Sequence, residues 1–254
     1  MSPELALALE LADLADGLAL PRFRALDLVV ESKPDLTPVS EADRAVEQAI
    51  RARLAEVRPD HAVLGEEFGA TEDRSGWRWV IDPIDGTANY VRGVPVWATL
   101  LALEHDGELV LGVVSAPALG RRWWAERGGG AFADGQPIRV SGVTDLADAS
   151  LAWAGTATFA RQGKGEALLD LVQRAWRARG YGDFWMHLLV AEGAVDAAFE
   201  PEVAYYDVAA VQVIVEEAGG RFTDLSGRAR ADGGSALSSN GHLHGAVLEA
   251  LGRP

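Results

Sequence analysis

The sequence predicts an α+β fold in which sheets are layered with helices between and outside them. Three observations carry that expectation. Two amphipathic helical stretches open the chain, a hydrophobic period of two runs from Ala62 to Val140, and short apolar strands then alternate with helical patterns.

Leu5, Leu9, Leu11, Ala12, Leu14, Ala15 and Leu18 leave the acidic residues largely on one side, so Pro3 to about Ala25 reads as a helix. Lys33-Pro34-Asp35-Leu36-Thr37-Pro38 is a proline-bearing loop. Ser40 caps a second helix, with Val46, Ala49, Ile50 and Leu54 on its inner face and an end near Arg58-Pro59. Strands are expected at Ala62–Leu64, Arg78–Ile81, Ala98–Glu104, Leu109–Ser115, Arg122–Glu126 and Gln136–Val140. Asp106-Gly107 and Asp134-Gly135 signal hairpin turns between such runs. In the second half, strands at Ala149–Trp153, Val195–Phe199, Arg221–Thr223 and Ala236–Ser238 flank helices at Gly165–Arg177, Phe184–Glu192, Tyr206–Glu217 and Leu243–Leu251. No linker or repeat divides the chain. Residues 1–254 are therefore expected to form one unit, its halves (about 1–145 and 146–254) packed with the site between them.

Net charge is −15, from 23 basic and 38 acidic residues, and no basic stripe interrupts it. That argues against a nucleic-acid surface, which needs clustered cations to neutralise phosphates. The absence of cysteine excludes a disulfide framework, a thiolate nucleophile and a Cys-ligated zinc. Glu4, Glu10, Asp13 and Asp16 stand among the leucines of the first helix, unlike the apolar stretch of a secretory signal. No window of about 18 uncharged apolar residues offers a membrane span. A cytoplasmic protein is expected, with no membrane and no nucleic acid among its partners.

The chemistry concentrates in Trp79-Val80-Ile81-Asp82-Pro83-Ile84-Asp85-Gly86-Thr87. An apolar run ends in two aspartates three residues apart, followed by a Gly-Thr pair. Paired carboxylates at a strand end can bridge a hard cation such as Mg²⁺, and the backbone N–H groups that follow can face an anion. Glu66 and Glu67 follow another strand, Asp43 lies in the first turn of the second helix, and Asp207 opens a later one. Each has an ordinary explanation: Asp43 completes a capping box with Ser40, Asp207 suits a helix N-terminus, and Glu66-Glu67 suits a solvated loop. Their shared placement after apolar stretches suggests convergence. Like charges about 4 Å apart repel by about 4 kcal/mol at an effective dielectric of 20, so such a cluster needs cations or bound protons between its members. The histidines are scattered, and His242-Leu243-His244 has neither zinc spacing nor acidic company.

Three separated signatures, Gly65-Glu66-Glu67, Asp82-Pro83-Ile84-Asp85-Gly86-Thr87-Ala88-Asn89-Tyr90 and Tyr206-Asp207-Val208-Ala209-Ala210, resemble the inositol monophosphatase family of Mg²⁺-dependent, Li⁺-sensitive phosphatases. The likeness runs through nearly the whole chain in order, including Lys33, Asp35, Thr37 and Asp43. It implies the layered α-β-α-β-α sandwich of that family, a phosphate-ester substrate, a homodimer, and two or three Mg²⁺ ions per site, with Mn²⁺ as a substitute. The N-terminal half would bind metal and the C-terminal half would select substrate. By the resemblance, Glu66, Asp82 and the Ile84 carbonyl would hold one ion, and Asp82, Asp85 and Asp207 a second. A weaker third ion would touch Glu66 and reach Asp43 indirectly. Thr87 would hydrogen-bond Asp43 and help activate a water, and the N–H groups of Gly86 and Thr87 would hold the phosphate.

Specificity is expected from Asp183, Glu200, Arg179 and Trp185. In inositol phosphatases the position matching Asp183 is usually small and apolar, and the position matching Glu200 is an acid that contacts substrate hydroxyls. Two acids with an aromatic neighbour suit a substrate carrying an ammonium and an imidazole. The flanks, Lys33 to Asp43 and Arg179 to His187, also resemble the histidinol-phosphatase branch. L-histidinol phosphate is the expected substrate. Inositol 1-phosphate and sugar or adenosine bisphosphates are the alternatives, and a non-catalytic binding protein of the same fold is the rival from another class.

Overall fold

The structure, a computed structural model, describes residues 1–33, 37–72 and 75–252. Pro34, Asp35 and Leu36 of the proline loop lie outside the described residues. Helix α1 (Pro3–Ala19) opens the chain with Ser2 as its cap, and α2 (Glu41–Val57) is capped by Ser40 with Asp43 closing the capping box. The first helix is shorter than its apolar pattern suggests. Pro21 cannot donate the next backbone hydrogen bond, and a short 3₁₀ turn over Leu20–Arg22 replaces the last turns. Between these helices lie β1 (Val30–Ser32) and β2 (Pro38–Ser40), an antiparallel pair with no counterpart in the expected elements.

The larger sheet is built from β3 (Ala62–Gly65), β4 (Gly69–Ala70), β5 (Trp77–Asp85), β6 (Ala98–His105), β7 (Glu108–Ala116), β8 (Arg121–Glu126), β9 (Gly130–Ala133) and β10 (Gln136–Ile138). Among the described residues its order is β10-β9-β8-β7-β6-β5-β3-β4, antiparallel except where β3 runs beside β5. The Asp106-Gly107 hairpin joins β6 to β7 with both turn residues at positive φ, 50° and 86°, which matches the twist of the flanking strands. The smaller sheet has the order β12-β11-β13-β15-β14, from β11 (Ser150–Trp153), β12 (Arg177–Arg179), β13 (Ala197–Glu200), β14 (Arg221–Thr223) and β15 (Ala236–Ser239). The helices of this half are α4 (Thr156–Arg161), α5 (Gly165–Arg174), α6 (Asp183–Ala191), α7 (Tyr205–Glu217) and α8 (His244–Leu251), and α3 (Thr87–Val91) follows β5.

Three apolar clusters define the layers. Leu11, Ile50 and Leu54 of α1 and α2 pack on Trp79, Ile81 and Leu101 of the larger sheet. On that sheet's other face, Val80, Leu100 and Val114 meet Phe184 and Leu188 of α6 and Val211 and Ile214 of α7, with Phe222 and Ala236 of the smaller sheet beyond. The far face of the smaller sheet, through Leu151, Phe199 and Leu237, is covered by Phe159, Leu171 and Val247 of α4, α5 and α8. The stack is thus helix, sheet, helix, sheet, helix, as expected. Because β5 is covered on both faces, it reads as a continuous apolar run rather than an alternating one.

Candidate active site

A β-bulge assembles the site. Asp82 pairs with Leu100 and Asp85 with Ala98, so three steps along β5 oppose two along β6. In a regular strand, residues three apart point to opposite faces, and the extra residue cancels that alternation. Pro83, which has no N–H to give the ladder, sits in the bulge, and its carbonyl accepts from Thr99 Oγ1 at 2.8 Å. Trp79, Ile81 and Ile84 face α1 and α2, whereas Asp82 and Asp85 turn toward α6 and α7. There they meet Asp207, three residues into α7. One carboxylate oxygen from each of Asp82, Asp85 and Asp207 lies within 4.8 Å of the other two.

Backbone N–H groups aim all three. Ile84 donates to Asp82 Oδ1 at 3.0 Å, Phe184 to Asp85 Oδ2 at 2.7 Å, and Ala204 to Asp207 Oδ2 at 2.8 Å. Glu66, just past β3, lies close enough to Asp82 to raise its carboxyl. Lys33 Nζ sits between Glu66 Oε1 and Glu67 Oε1, 2.7 Å from each. Burial, then the charges of Glu66, Asp85 and Asp207, lifts the Asp82 carboxyl well above its ordinary range. Burial, then Asp183 and Asp207, does the same to Asp85. Asp207 is pushed up to about 7, chiefly by burial and against the hydrogen bond from Ala204. Carboxylates crowded in this way resist ionising together unless a cation joins them. An oxygen-only donor set of this size fits a hard divalent ion.

Asp43 is fully buried and carries two duties. Its Oδ2 takes the Ser40 N–H at 2.8 Å and the Ser40 hydroxyl at 2.5 Å, completing the cap of α2. Its Oδ1 lies 3.1 Å from Thr87 Oγ1, which is also 2.9 Å from the Ile84 carbonyl. Burial, against the bonds from Ser40 and Thr87, raises Asp43 to about 6. Gly86 stands between the bulge and α3 with φ +80°, and a Cβ there would crowd the Val96 carbonyl at 3.0 Å. Only glycine meets both demands without strain. Asn89 then ties α3 to α6, donating to Val96 O at 2.9 Å and to Asp183 Oδ2 at 2.7 Å.

Glu47, absent from the sequence reading, organises the Glu66-Glu67 turn. It is fully buried, and its Oε2 accepts the Glu67 N–H at 2.7 Å. Its Oε1 accepts the Phe68 N–H at 3.2 Å and Arg51 Nε at 2.7 Å. Gly65 leaves the space this carboxylate occupies, since a Cβ there would overlap it. The signal was available: Asp43, Glu47 and Arg51 recur at i, i+4 on the face of α2 that also carries Ile50 and Leu54.

A cleft of about 400 Å³ opens over these groups, walled by Thr37, Glu66, Thr87, Asp183, Tyr206 and Asp207. Asp183 begins α6 at φ +48°, and burial, then the Glu200 charge, pushes it up to about 6. Glu200 ends β13 near enough to raise Asp183, Asp85 and Asp207, and its Oε1 lies 2.9 Å from His187 Nε2. Trp185 is half-buried and packs edge-on against Tyr181 at 5.5 Å between centroids. Arg179 is exposed on β12, where its guanidinium bonds the Ala178 carbonyl at 2.7 Å. Glu200, Trp185 and Arg179 all lie outside the cleft wall.

The match of known proteins to this arrangement covers almost the full chain. The sequence pattern of the inositol monophosphatase family matches residues 1–253. The chain belongs to the inositol monophosphatase family. A histidinol-phosphatase from Mycobacterium tuberculosis is 55% identical over 253 residues, covering 98% of this chain and 97% of that protein. A histidinol-phosphatase from Streptomyces coelicolor is 52% identical, covering 98% and 96%. Among solved structures, the Thermotoga maritima IMPase superposes with a TM-score of 0.90 at 32% identity, covering 99% of this chain and 97% of that one. Family membership accounts for the layered architecture and for the acidic cluster at the meeting of β5 and α7.

Proposed function

We propose that this protein is a Mg²⁺-dependent phosphomonoester hydrolase that converts L-histidinol phosphate to L-histidinol and phosphate in histidine biosynthesis. The supporting observation is the second pair of acids, Asp183 and Glu200, set beside the metal-type cluster of Asp82, Asp85 and Asp207. An acid at the Glu200 position also serves a neutral polyol through its hydroxyls, so the charge such a substrate has no use for is that of Asp183. A substrate with an ammonium and an imidazole pairs with it through charge-assisted bonds. The names of the two relatives above 50% identity favour the same substrate.

Glu66, Asp82, the Ile84 carbonyl, Asp85 and Asp207 would hold two or three Mg²⁺ ions, with Mn²⁺ able to replace them. Bound there, the metal supplies acidification of water and stabilisation of the leaving oxygen. The protein's own groups do the rest. Thr87 Oγ1 takes a proton from the attacking water as it passes its own to Asp43 Oδ1, whose elevated pKa suits a transient proton near neutral pH. The N–H groups of Gly86 and Thr87 hold the phosphate. Asp183 and Glu200 hold the amine end, with Trp185 and Arg179 further out. A homodimer is proposed on family grounds, and a cytoplasmic location because acids interrupt the apolar residues of the first helix, unlike a secretory signal. Among the described residues no helix is long and apolar enough to cross a membrane.

A substrate panel with Mg²⁺ tests the proposal. Phosphate release from histidinol phosphate should exceed that from inositol 1-phosphate and fructose 1,6-bisphosphate, and Asp82→Asn should silence it. Faster release from inositol 1-phosphate would replace the substrate. An Asp82→Asn protein that kept its full biological role would favour a binding protein instead.

A further inference from the structure

We infer that His187 is a positioning residue that fixes Glu200 for the cationic end of the substrate, an inference that rests on the histidinol-phosphate reading above. His187 lies on α6, fully buried, and bridges neighbouring strands of the smaller sheet. Its Nε2 is 2.9 Å from Glu200 Oε1 on β13, and its Nδ1 is 2.8 Å from Ser238 Oγ on β15. Ala198 pairs with Ser238 across those strands, so Glu200 lies one same-face step further along β13.

Glu200 dictates the direction of its bond to the ring. An ionised carboxylate only accepts, so Nε2 carries the proton and donates it to Glu200. At Nδ1 the Ser238 hydroxyl, which can donate or accept, completes the bridge whichever form the ring takes. A buried imidazole that served only to fill space would cost desolvation for no return. This one spends a donor on a carboxylate whose other oxygen takes no hydrogen bond among the described residues, while its charge is felt at Asp85, Asp183 and Asp207. His187 thus keeps one oxygen of Glu200 occupied and leaves the other fixed and available to an ammonium. A fixed, ionised acceptor matters most for a charge-assisted bond.

The test compares His187→Leu and His187→Gln with the unaltered enzyme on histidinol phosphate and on p-nitrophenyl phosphate, which has no amine. Loss of a hydrogen bond to a charged group predicts that His187→Leu raises KM for histidinol phosphate about tenfold or more, with kcat changed less. Turnover of p-nitrophenyl phosphate should stay within about threefold, and His187→Gln, whose amide can reach the same place, should restore most of the loss. Equal losses on both substrates, or none, overturn the positioning role. Should His187→Leu fail to fold, ¹⁵N spectra of the unaltered protein decide the matter. A protonated Nε2, shifted by Glu200→Gln, supports the proposal; a bare Nε2, or resonances indifferent to Glu200→Gln, overturns it. A wild-type enzyme that prefers inositol 1-phosphate would instead sink the substrate reading on its own.

Discussion

Thr87 has one hydroxyl proton and two acceptors within reach, the Ile84 carbonyl at 2.9 Å and Asp43 Oδ1 at 3.1 Å. That choice lets the same oxygen rest on the bulge or pass its proton to Asp43. Thr87→Ala removes it and should lower kcat by roughly 10²–10⁴, the range for positioned acid–base help, while Thr87→Ser recovers most of the rate. Unchanged single-turnover rates for Thr87→Ala would take the residue out of the chemistry. His244 is fully buried between Thr223 Oγ1 at 2.9 Å and Ser239 Oγ at 2.8 Å, and burial, helped by Arg221, lowers its pKa to about 4. The folded pKa lies below the unfolded one, near 6.5, so the unfolded chain binds the proton first. The contribution of neutral His244 is complete above pH 6.5 and is lost as pH falls from there toward 4, by about 2 kcal/mol at pH 5. Urea unfolding at pH 7 and pH 5 checks this. The unaltered protein should lose more stability between those values than His244→Gln, and identical losses would refute it.

At the scale of elements, what was legible depended on how local the cause was. Asp106-Gly107 announced its hairpin because the turn conformation is written in two residues. The capping box of α2 was legible for the same reason. The bulge in β5 was not, since its effect depends on register against β6, and Pro83 was the only hint. The β1–β2 pair escaped because the exposed pattern of β1 gives no alternation to read, and the six-residue α4 because it is too short to show a period. Glu47 was passed over because an acid inside an apolar helix face reads as solvated until its partners are known. Among the residues proposed for specificity, side-chain chemistry alone named Asp183, Glu200, Arg179 and Trp185 together, but only the fold shows Glu200 tied to His187 and Arg179 turned to the surface. The packing of α7 makes a prediction of its own. Gly112 on β7 lies under the Ala210 backbone, where a Cβ would overlap the carbonyl. Gly112→Ala must lift the helix that carries Asp207, and overpacking of this kind costs about 1–3 kcal/mol. A lowered melting temperature together with a higher Mg²⁺ concentration for half-maximal activity is expected; a variant unchanged in both would show that α7 does not set the site.

The whole molecule gathers its acids where its layers meet. The larger sheet supplies Glu66, Asp82 and Asp85, the helical layer between the sheets supplies Asp183 and Asp207, and the smaller sheet supplies Glu200. With a net charge of −15, the protein repels a phosphate ester until bound cations reverse the local sign. On the proposed reading, activity depends on divalent metal and recognition of the amine end on carboxylates left free of it. Anomalous diffraction from crystals equilibrated with Mn²⁺ tests the metal cluster most directly. Peaks bounded by Glu66, Asp82, Asp85 and Asp207, abolished by Asp82→Asn, are expected. Their absence at a Mn²⁺ concentration that supports full turnover, or a peak confined to another part of the surface, would contradict the assignment.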